Sequence, residues 1–210
     1  CLVNNIAIAA RWAQRERGLA RVAIVDWDVH HGNGTEEIFL DDPSVLTVSL
    51  HQDGLYPAHT GGLDTRGAEG ANVNVPLPAG TGDAGYAHAF DRIVAPAVRA
   101  FRPELLLIAA GQDASATDPL GRMSITVPGF RALADRAVAL ADEVCGGRAV
   151  ALLEGGYSLL HLPLANLAIL EGLAELPATF AHDPVGVDAP VALRDVEWAA
   201  VAAAEQAHLP

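Results

Sequence analysis

The sequence predicts an α/β protein, a doubly wound parallel sheet with helices on both faces. Short apolar runs alternate with amphipathic segments along the chain, which is typical of strands joined by crossover helices. The run from Glu104 to Ala110 is nearly all apolar, as expected for a strand buried on both faces. Hydrophobic residues make up 51% of the 210 residues, enough for a substantial core.

The first half of the chain is predicted from its apolar spacing and its breakers. An apolar stripe predicts a helix over 4–17, which Gly18 ends. Two runs of apolar and β-branched residues predict strands over 22–25 and 45–50. The elements completing this half are a short helix over 35–40, a long polar loop over 51–72 and a brief strand over 73–76. Polar loops of that length are usually functional.

The second half is predicted in the same way. Asp83 is expected to cap a helix that extends to Phe101 and bends at Pro96. The strand that ends at Ala110 leads into a loop that ends at Pro128. The elements predicted after that loop are a helix over 130–144, a buried strand over 148–153, a helix over 159–173 and a short helix over 198–206.

The charge and the cysteines exclude several classes of protein. The formal charge of −13 argues against a nucleic-acid surface and offers no basic stripe to anionic membranes. Two cysteines, Cys1 and Cys145, cannot form a disulfide framework and fit a reducing cytoplasm. No apolar run approaches the roughly 18 residues that a membrane span needs. We therefore expect a cytoplasmic protein that binds neither nucleic acid nor a membrane.

The strand over 22–25 ends in acids, histidines and glycines. Alternate side chains of an extended chain share a face, so we expect Asp26, Asp28 and His30 to project the same way. Carboxylate oxygen and imidazole nitrogen are ordinary zinc ligands, and the pattern therefore favours a metal site. The alternative is a strand-to-helix turn in which Asp and Asn cap a helix that begins near Thr35.

Two further strands also end in residues suited to chemistry. Asp113 follows one of them, and Tyr157 follows another after a pair of glycines. Ligands of doubly wound sheets bind beyond the carboxyl ends of the strands, so these tips can meet. Asp28, His30 and Asp113 would supply three ligands and leave a position open, as in a catalytic zinc site. The alternatives are a turn cap for Asp113 and a surface aromatic for Tyr157.

Three spaced motifs carry a resemblance to a known family. The motifs are Asp-Trp-Asp-Val-His-His-Gly-Asn-Gly-Thr over 26–35, Gly-Gln-Asp-Ala over 111–114 with Asp-Pro-Leu over 118–120, and Glu-Gly-Gly-Tyr over 154–157. Together they resemble the zinc-dependent histone deacetylase family, in the branch of class II and bacterial deacetylase-like amidohydrolases that includes acetylpolyamine amidohydrolases. The segment from Cys1 to Ala10 resembles the one that follows this family's active-site glycine loop.

The resemblance implies the arginase–deacetylase α/β fold over a single domain, 1–210, with a core over 1–173 and a tail over 174–210. It implies that Asp28, His30 and Asp113 bind zinc and that Tyr157 donates a hydrogen bond to the substrate carbonyl. The substrate-binding residues that it implies are Tyr56, which walls the acyl-lysine tunnel, Leu120 at the mouth of the tunnel, and Gly156.

A monovalent cation, usually potassium, is also implied near the zinc. Asp26 and Ser49 match side-chain ligands of that cation in the family. The backbone ligands match Asp28, His30 and Leu50. A second, outer cation site would involve Phe39, Asp42 and Val45.

One departure from the family concerns the general base, which is one of a tandem histidine pair lying before the position of Cys1. His30-His31 is not that pair, because His30 occupies a ligand position. We therefore expect the 210 residues to lack the catalytic histidines and the first strands of the sheet. The only plausible substitute base is His51, for which a structural role is favoured. A sheet edge exposed in this way would favour association with another copy of the chain.

The function implied is a zinc-dependent deacylase that hydrolyses acetyl-lysine, or a related N-acetylated amine, and releases acetate. One alternative is an acetylpolyamine or other small-molecule amidohydrolase. Another is a catalytically inactive fragment that binds zinc but lacks the histidine pair. A binuclear manganese hydrolase like arginase is disfavoured, because no further Asp follows His30 directly.

Overall fold

The computed structural model describes residues 3–188 and 192–209, so Cys1, whose segment carries part of the resemblance, lies outside the described residues. The strands are β1 Val22–Asp26, β2 Val45–Gln52, β3 Asn72–Leu77, β4 Leu105–Ala110 and β5 Ala149–Leu153. The helices are α1 Asn5–Arg17, α2 Asn33–Phe39, α3 Asp83–Ala89, α4 Ala95–Phe101, α5 Val127–Cys145, α6 Leu162–Leu173 and α7 Asp195–His208. A short 3₁₀ turn, Ala68–Gly70, precedes β3, and a π-helical segment, Phe90–Val94, joins α3 to α4.

The five strands form one parallel sheet in the order β3-β2-β1-β4-β5. The chain builds outward from β1 through β2 to β3 and then returns to the other side of β1 with β4. The sheet therefore has its topological switch point between β1 and β4. Their carboxyl ends are level, because Asp26 is in register with Ala109. A crevice opens at such a switch point, and ligands of open α/β sheets bind there.

Alternate residues of the central strands pack into two separate cores. Val22 and Ile24 of β1 contact α1 on one face, while Ala23 and Val25 belong to the larger core on the other face. Helices α3, α5 and α6 cover that second face. Helices on both faces confirm the predicted doubly wound arrangement. In the described part of the chain no helix combines the length and the apolar character that a membrane crossing requires.

Asn4, predicted as the first residue of the helix, instead caps the start of α1 and ties two helices together. The Asn4 side chain accepts a hydrogen bond from the Ala7 N–H at 2.9 Å, and its amide nitrogen donates to the Thr35 hydroxyl in α2 at 3.0 Å. Gly18 ends the helix with φ +69°, in the left-handed region that glycine enters without strain. Helix α2, which follows the polar end of β1, is thus held against α1.

Strand β5 differs from its prediction as a buried strand. It pairs with β4 alone, so it forms an edge of the described sheet. Val150 is 48% exposed and Leu153 is 61% exposed. An apolar run predicts a strand, but it does not reveal how many neighbours that strand has or how far its faces are covered.

The segment predicted as one bent helix, 83–101, also differs. Gly82, not Asp83, is the residue that caps α3. The Asp83 carboxylate instead accepts hydrogen bonds from the backbone N–H and the hydroxyl of Thr126, at 2.9 and 2.6 Å. The π-helical segment lies just before Pro96, which has no N–H to donate to the carbonyl four residues earlier.

Candidate functional site

Asp28, His30 and Asp113 meet beyond the carboxyl ends of β1 and β4. One potential ligand atom from each of the three lies within 4.8 Å of the other two. Nδ1 of His30 is 3.0 Å from Oδ1 of Asp28 and 3.1 Å from Oδ2 of Asp113. Residues far apart in sequence thus form one cluster at the switch point of the sheet.

Backbone amides hold the two carboxylates of this cluster. The Val29 N–H donates to Oδ1 of Asp113 at 2.8 Å. The Gly155 N–H, from the turn after β5, donates to Oδ2 of Asp28 at 2.8 Å. Three adjacent strand ends therefore contribute to one site, and both carboxylates are oriented before any ligand arrives.

Two glycines leave the space that the carboxylates occupy. A Cβ at Gly111 would lie 2.5 Å from Cα of Asp28, and one at Gly155 would overlap the carboxylate of Asp113. Two carboxylates and an imidazole in such a cradle are a donor set suited to one divalent ion, zinc included. Residues 3–188 and 192–209 contain no second cluster of this kind, which does not favour a binuclear centre.

The three groups of the cluster shift one another's pKa values. Hydrogen bonds to Asp113 and to Asp28 raise the pKa of His30 to about 10. Burial raises the pKa of Asp113 to about 6. Burial also acts to raise the pKa of Asp28, but its hydrogen bonds with His30 and Gly155 outweigh that effect and lower it. In the metal-free protein a protonated imidazole therefore supplies the positive charge between the two carboxylates.

We expect the free energy of unfolding of the metal-free chain to fall as the pH rises from about 6.5 towards 10. The pKa of His30 is about 10 in the folded state, against an ordinary value of 6.5. Its stabilising charge is thus fully present below the lower value and is lost through the higher one. Urea unfolding in the presence of a chelator measures the slope. His30→Asn should remove most of it, and an unchanged slope in that variant would contradict the assignment.

Asp26 does not join the cluster, contrary to the expectation from strand alternation. β1 ends at Asp26, so the chain beyond it no longer alternates as a strand does. Oδ1 of Asp26 accepts a hydrogen bond from the Asp28 N–H at 2.9 Å. Asp26 is in register with Ser49 on β2. Gly32 packs against both side chains, since a Cβ there would lie 2.6 Å from Oδ2 of Asp26 and 3.9 Å from the Ser49 hydroxyl.

The environment of Asp26 and Ser49 suits a monovalent cation. Burial and the charge of Asp28 raise the pKa of Asp26 well above its usual range. Among the described residues no basic side chain forms an ion pair with Asp26. A buried carboxylate without a counter-charge is costly, and a bound cation would offset that cost. Leu50 follows Ser49 on β2, so all three predicted potassium residues lie together.

The outer cation site lies in the turn between α2 and β2. Its three residues are adjacent, since the Asp42 N–H donates to the Phe39 carbonyl at 2.9 Å and the Val45 N–H donates to the Asp42 carbonyl at 3.3 Å. The Asp42 carboxylate already forms an ion pair with Arg11. The outer cation site stays a prediction, because the Arg11 guanidinium is the partner of the Asp42 carboxylate in this structure.

Tyr56, one of the residues expected to bind substrate, lies beside the cluster of Asp28, His30 and Asp113. The Tyr56 ring stands nearly perpendicular to the His30 ring, with centroids 6.2 Å apart, and Tyr56 is 69% exposed. Tyr157 and Leu120 are also exposed apolar side chains. Gly156 has φ +143°, and a Cβ there would lie 2.7 Å from Leu162. The position therefore requires glycine, and it directs the chain from β5 to Tyr157.

His31 and His51 are buried beneath the loop that carries Tyr56. Nδ1 of His31 is 2.9 Å from the hydroxyl of Thr60, and Nε2 of His51 is 3.2 Å from the Gly61 carbonyl. Burial lowers the pKa of His51 to about 4. The geometry thus supports a structural role for His51 in holding this loop, and not a role as a base.

The sequence alone indicates no role for Asp118, a further residue of the site. Its buried carboxylate accepts a hydrogen bond from the backbone N–H of Tyr157 at 2.6 Å and another from that of Leu120 at 2.9 Å. The Asp-Pro-Leu motif marked the position, but local sequence does not show that this carboxylate contacts a turn about 40 residues away.

The fold and the position of the cluster define the class of protein. This is an α/β protein of the arginase–deacetylase fold. The chain superposes on the crystal structure of the HDA15 HD domain with a TM-score of 0.85 and 37% identity, covering 100% of this chain and 55% of that one. It superposes on the histone deacetylase Clr3 with a TM-score of 0.86 and 32% identity, covering 99% of this chain and 35% of that one.

The chain belongs to the histone deacetylase family, because the histone deacetylase domain matches residues 1–173. It is 45% identical over 188 residues to a histone deacetylase-like amidohydrolase of Pseudomonas aeruginosa, covering 88% of this chain and 49% of the relative. It is 41% identical over 192 residues to histone deacetylase 8 of Arabidopsis thaliana, covering 88% and 51%. The chain thus spans about half the length of these relatives.

Proposed function

We propose that this protein is a zinc-dependent deacylase that hydrolyses the amide of acetyl-lysine, or of a related N-acetylated amine, and releases acetate. The observation that carries the proposal is the convergence of Asp28, His30 and Asp113 within 4.8 Å, on a turn-and-strand framework that also carries Tyr157. Membership of a deacetylase and amidohydrolase family supports the reaction class.

The three clustered side chains would hold the zinc ion. Zinc, when bound, polarises the acyl carbonyl and makes water a better nucleophile near neutral pH. Three protein ligands leave a coordination position for the reactants. The second oxygens of both carboxylates accept backbone N–H groups of Val29 and Gly155, which fixes the ligand geometry from outside.

Tyr157 would donate a hydrogen bond to the acyl oxygen as negative charge develops there. Burial, followed by the charges of Asp113 and Asp28, raises the pKa of the Tyr157 hydroxyl. The hydroxyl therefore keeps its proton at neutral pH and remains a donor. A donor held where charge develops is typically worth about 3 kcal/mol to the transition state.

The substrate would approach between Tyr56 and Leu120. Both are exposed although apolar, and Tyr56 lies edge-on to the ligand His30. An apolar passage of this kind suits the methylene chain of an acylated lysine or polyamine, whose amide must reach the metal. The negative charge of the chain slightly favours a cationic amine. A panel of acetyl-lysine peptides and acetylpolyamines, compared by kcat/KM, distinguishes the two substrate classes.

Potassium would occupy the site of Asp26, Ser49 and Leu50. A cation there would sit beside the backbone that leads directly to Asp28 and would neutralise the buried Asp26 carboxylate. This cation, the cytoplasmic location and the association of copies stay predictions.

In the full-length protein, replacing Tyr157 by phenylalanine should lower kcat by roughly 100-fold or more while the zinc content is unchanged. The substitution removes the donor hydroxyl and keeps the ring, so binding of the substrate should change little. Steady-state kinetics with acetyl-lysine peptide, together with metal analysis of the same preparation, test this. A loss confined to KM would show instead that Tyr157 only binds substrate.

A further inference from the structure

Asp118 lies in the loop between β4 and α5 and is only 7% exposed. Oδ2 accepts hydrogen bonds from the backbone N–H groups of Tyr157 and Ser158, at 2.6 and 3.2 Å. Oδ1 accepts one from the backbone N–H of Leu120 at 2.9 Å. One carboxylate therefore connects the turn that carries the oxyanion donor to the residue at the substrate entrance.

Backbone amides are the partners of this carboxylate. In the described part of the chain, Asp118 forms no ion pair with a basic side chain. Hydrogen bonds from N–H groups to a carboxylate are shorter and stronger than neutral ones. Burial of a carboxylate is unfavourable, and the three hydrogen bonds to Asp118 offset that cost.

The turn that Asp118 contacts contains two successive glycines, and glycine restricts the backbone less than any other residue. Gly155 and Gly156 lie directly before Tyr157. The first glycine is held at both ends, because its N–H donates to Asp28 and its carbonyl accepts from the Gln112 N–H at 2.8 Å. Beyond Gly156, Asp118 holds the Tyr157 amide, and Asp118 and Thr117 both contact Ser158.

We propose that Asp118 is a positioning residue, which sets the orientation of Tyr157 towards the acyl oxygen and couples it to Leu120 at the entrance. This inference rests on the proposed function, because it assigns the Tyr157 hydroxyl to the transition state. A displacement of about 1 Å at a group that acts on the reacting atoms is enough to cost about 100-fold in rate.

The neighbouring residue provides a matched control. The hydroxyl of Thr117 lies 2.9 Å from that of Ser158, so it joins the same two segments one residue away from Asp118. It does not contact the Tyr157 amide. Thr117→Val therefore weakens the same loop contact without releasing the oxyanion donor, and it should change kcat by less than about threefold.

The experiment is a double-mutant cycle in the natural protein with its zinc bound. Asp118→Ala should lower kcat by about 10- to 100-fold, with a smaller change in KM and unchanged zinc content. Asp118→Asn keeps one oxygen acceptor for the Tyr157 N–H, so its loss should be intermediate. In a Tyr157→Phe background, Asp118→Ala should cost less than about threefold more, because the donor it positions is already absent.

Two outcomes, one from the cycle and one from the Thr117→Val control, would overturn the inference. One is an equal loss from Asp118→Ala with and without Tyr157→Phe, which would show independent action. The other is a loss from Thr117→Val as large as that from Asp118→Ala, which would show that any loosening of the loop suffices.

Amide hydrogen exchange separates failure of this inference from failure of the proposed function. Asp118→Ala should speed exchange at Tyr157 by at least about tenfold while protection of the core strands is unchanged. A protein without amidohydrolase activity whose exchange changes in this way would refute the proposed function and the catalytic role of the contact. An active protein with unchanged exchange and kcat would refute the positioning role alone.

Discussion

Alanine in place of Asp113 is expected to abolish zinc binding. Purified wild-type chain should carry about one zinc ion, and the variant almost none, because three protein ligands are the usual minimum for a catalytic zinc site. The affinity for zinc should fall by more than about 100-fold, since even partners of the ligands are worth 10- to 100-fold. Asp28→Ala should behave in the same way.

The reason for so large an effect is the position of Asp113. It is wholly buried, and its two oxygens are divided between the Val29 amide and the His30 ring. Alanine leaves one carboxylate and one imidazole around the ion and introduces no replacement ligand. The imidazole of His30 also loses the hydrogen-bond partner that contributes most to its raised pKa.

Metal analysis after gel filtration measures the zinc content directly, and thermal unfolding provides a second readout. A metal that binds only the folded state raises the melting temperature, so added zinc should stabilise the wild type and not the variant. Asp41→Ala is the control, because Asp41 is an exposed acidic residue outside the cluster. Full zinc content in both ligand variants would refute the metal site.

The 210-residue chain assayed by itself is expected to turn over acetyl-lysine peptide at least about 100-fold more slowly than an intact relative. Removal of a proton from water by a positioned base contributes about 100- to 10,000-fold. In the described part of the chain, His30 is the only histidine in the cluster with Asp28 and Asp113, where we propose that it binds zinc. His51 is buried, its pKa is lowered to about 4, and it bonds Ser49 and Gly61 instead.

The Pseudomonas aeruginosa amidohydrolase, 45% identical to this chain, is a suitable reference in the same assay. Zinc content must be matched between the two preparations, so that a difference in rate reports the base and not the metal. Turnover within about tenfold of the reference would place the base among the 210 residues. His51→Gln would then test His51 as the base, since glutamine is of similar size to histidine and has no titratable nitrogen.

Sequence patterns alone were sufficient to predict the α/β class, each strand, and the polar tips that follow β1, β4 and β5. These are local properties: a run of apolar and β-branched residues favours a strand, and glycine or asparagine ends an element through its own backbone preference. The motif around Asp28 and His30 also carried the family, and the match of the histone deacetylase domain to residues 1–173 confirms that resemblance.

Other features depend on residues distant in sequence, and only the tertiary structure decided them. Strand alternation placed Asp26 with Asp28, but β1 ends at Asp26, whose carboxylate accepts the Asp28 N–H and lies outside the cluster. Asp83 is a residue type that often caps helices, yet its carboxylate accepts a hydrogen bond from Thr126 at the start of another helix.

The meeting of Asp28 with Asp113 and the contact of Asp118 with Tyr157 join segments about 85 and 40 residues apart. Sequence spacing carries no information on such contacts, because they follow from the order of strands in the sheet and from the space left by glycines. The local sequence thus determines which chemical groups follow each strand. Which tips share one site was determined by the switch point between β1 and β4, where parallel strand ends open onto the same crevice.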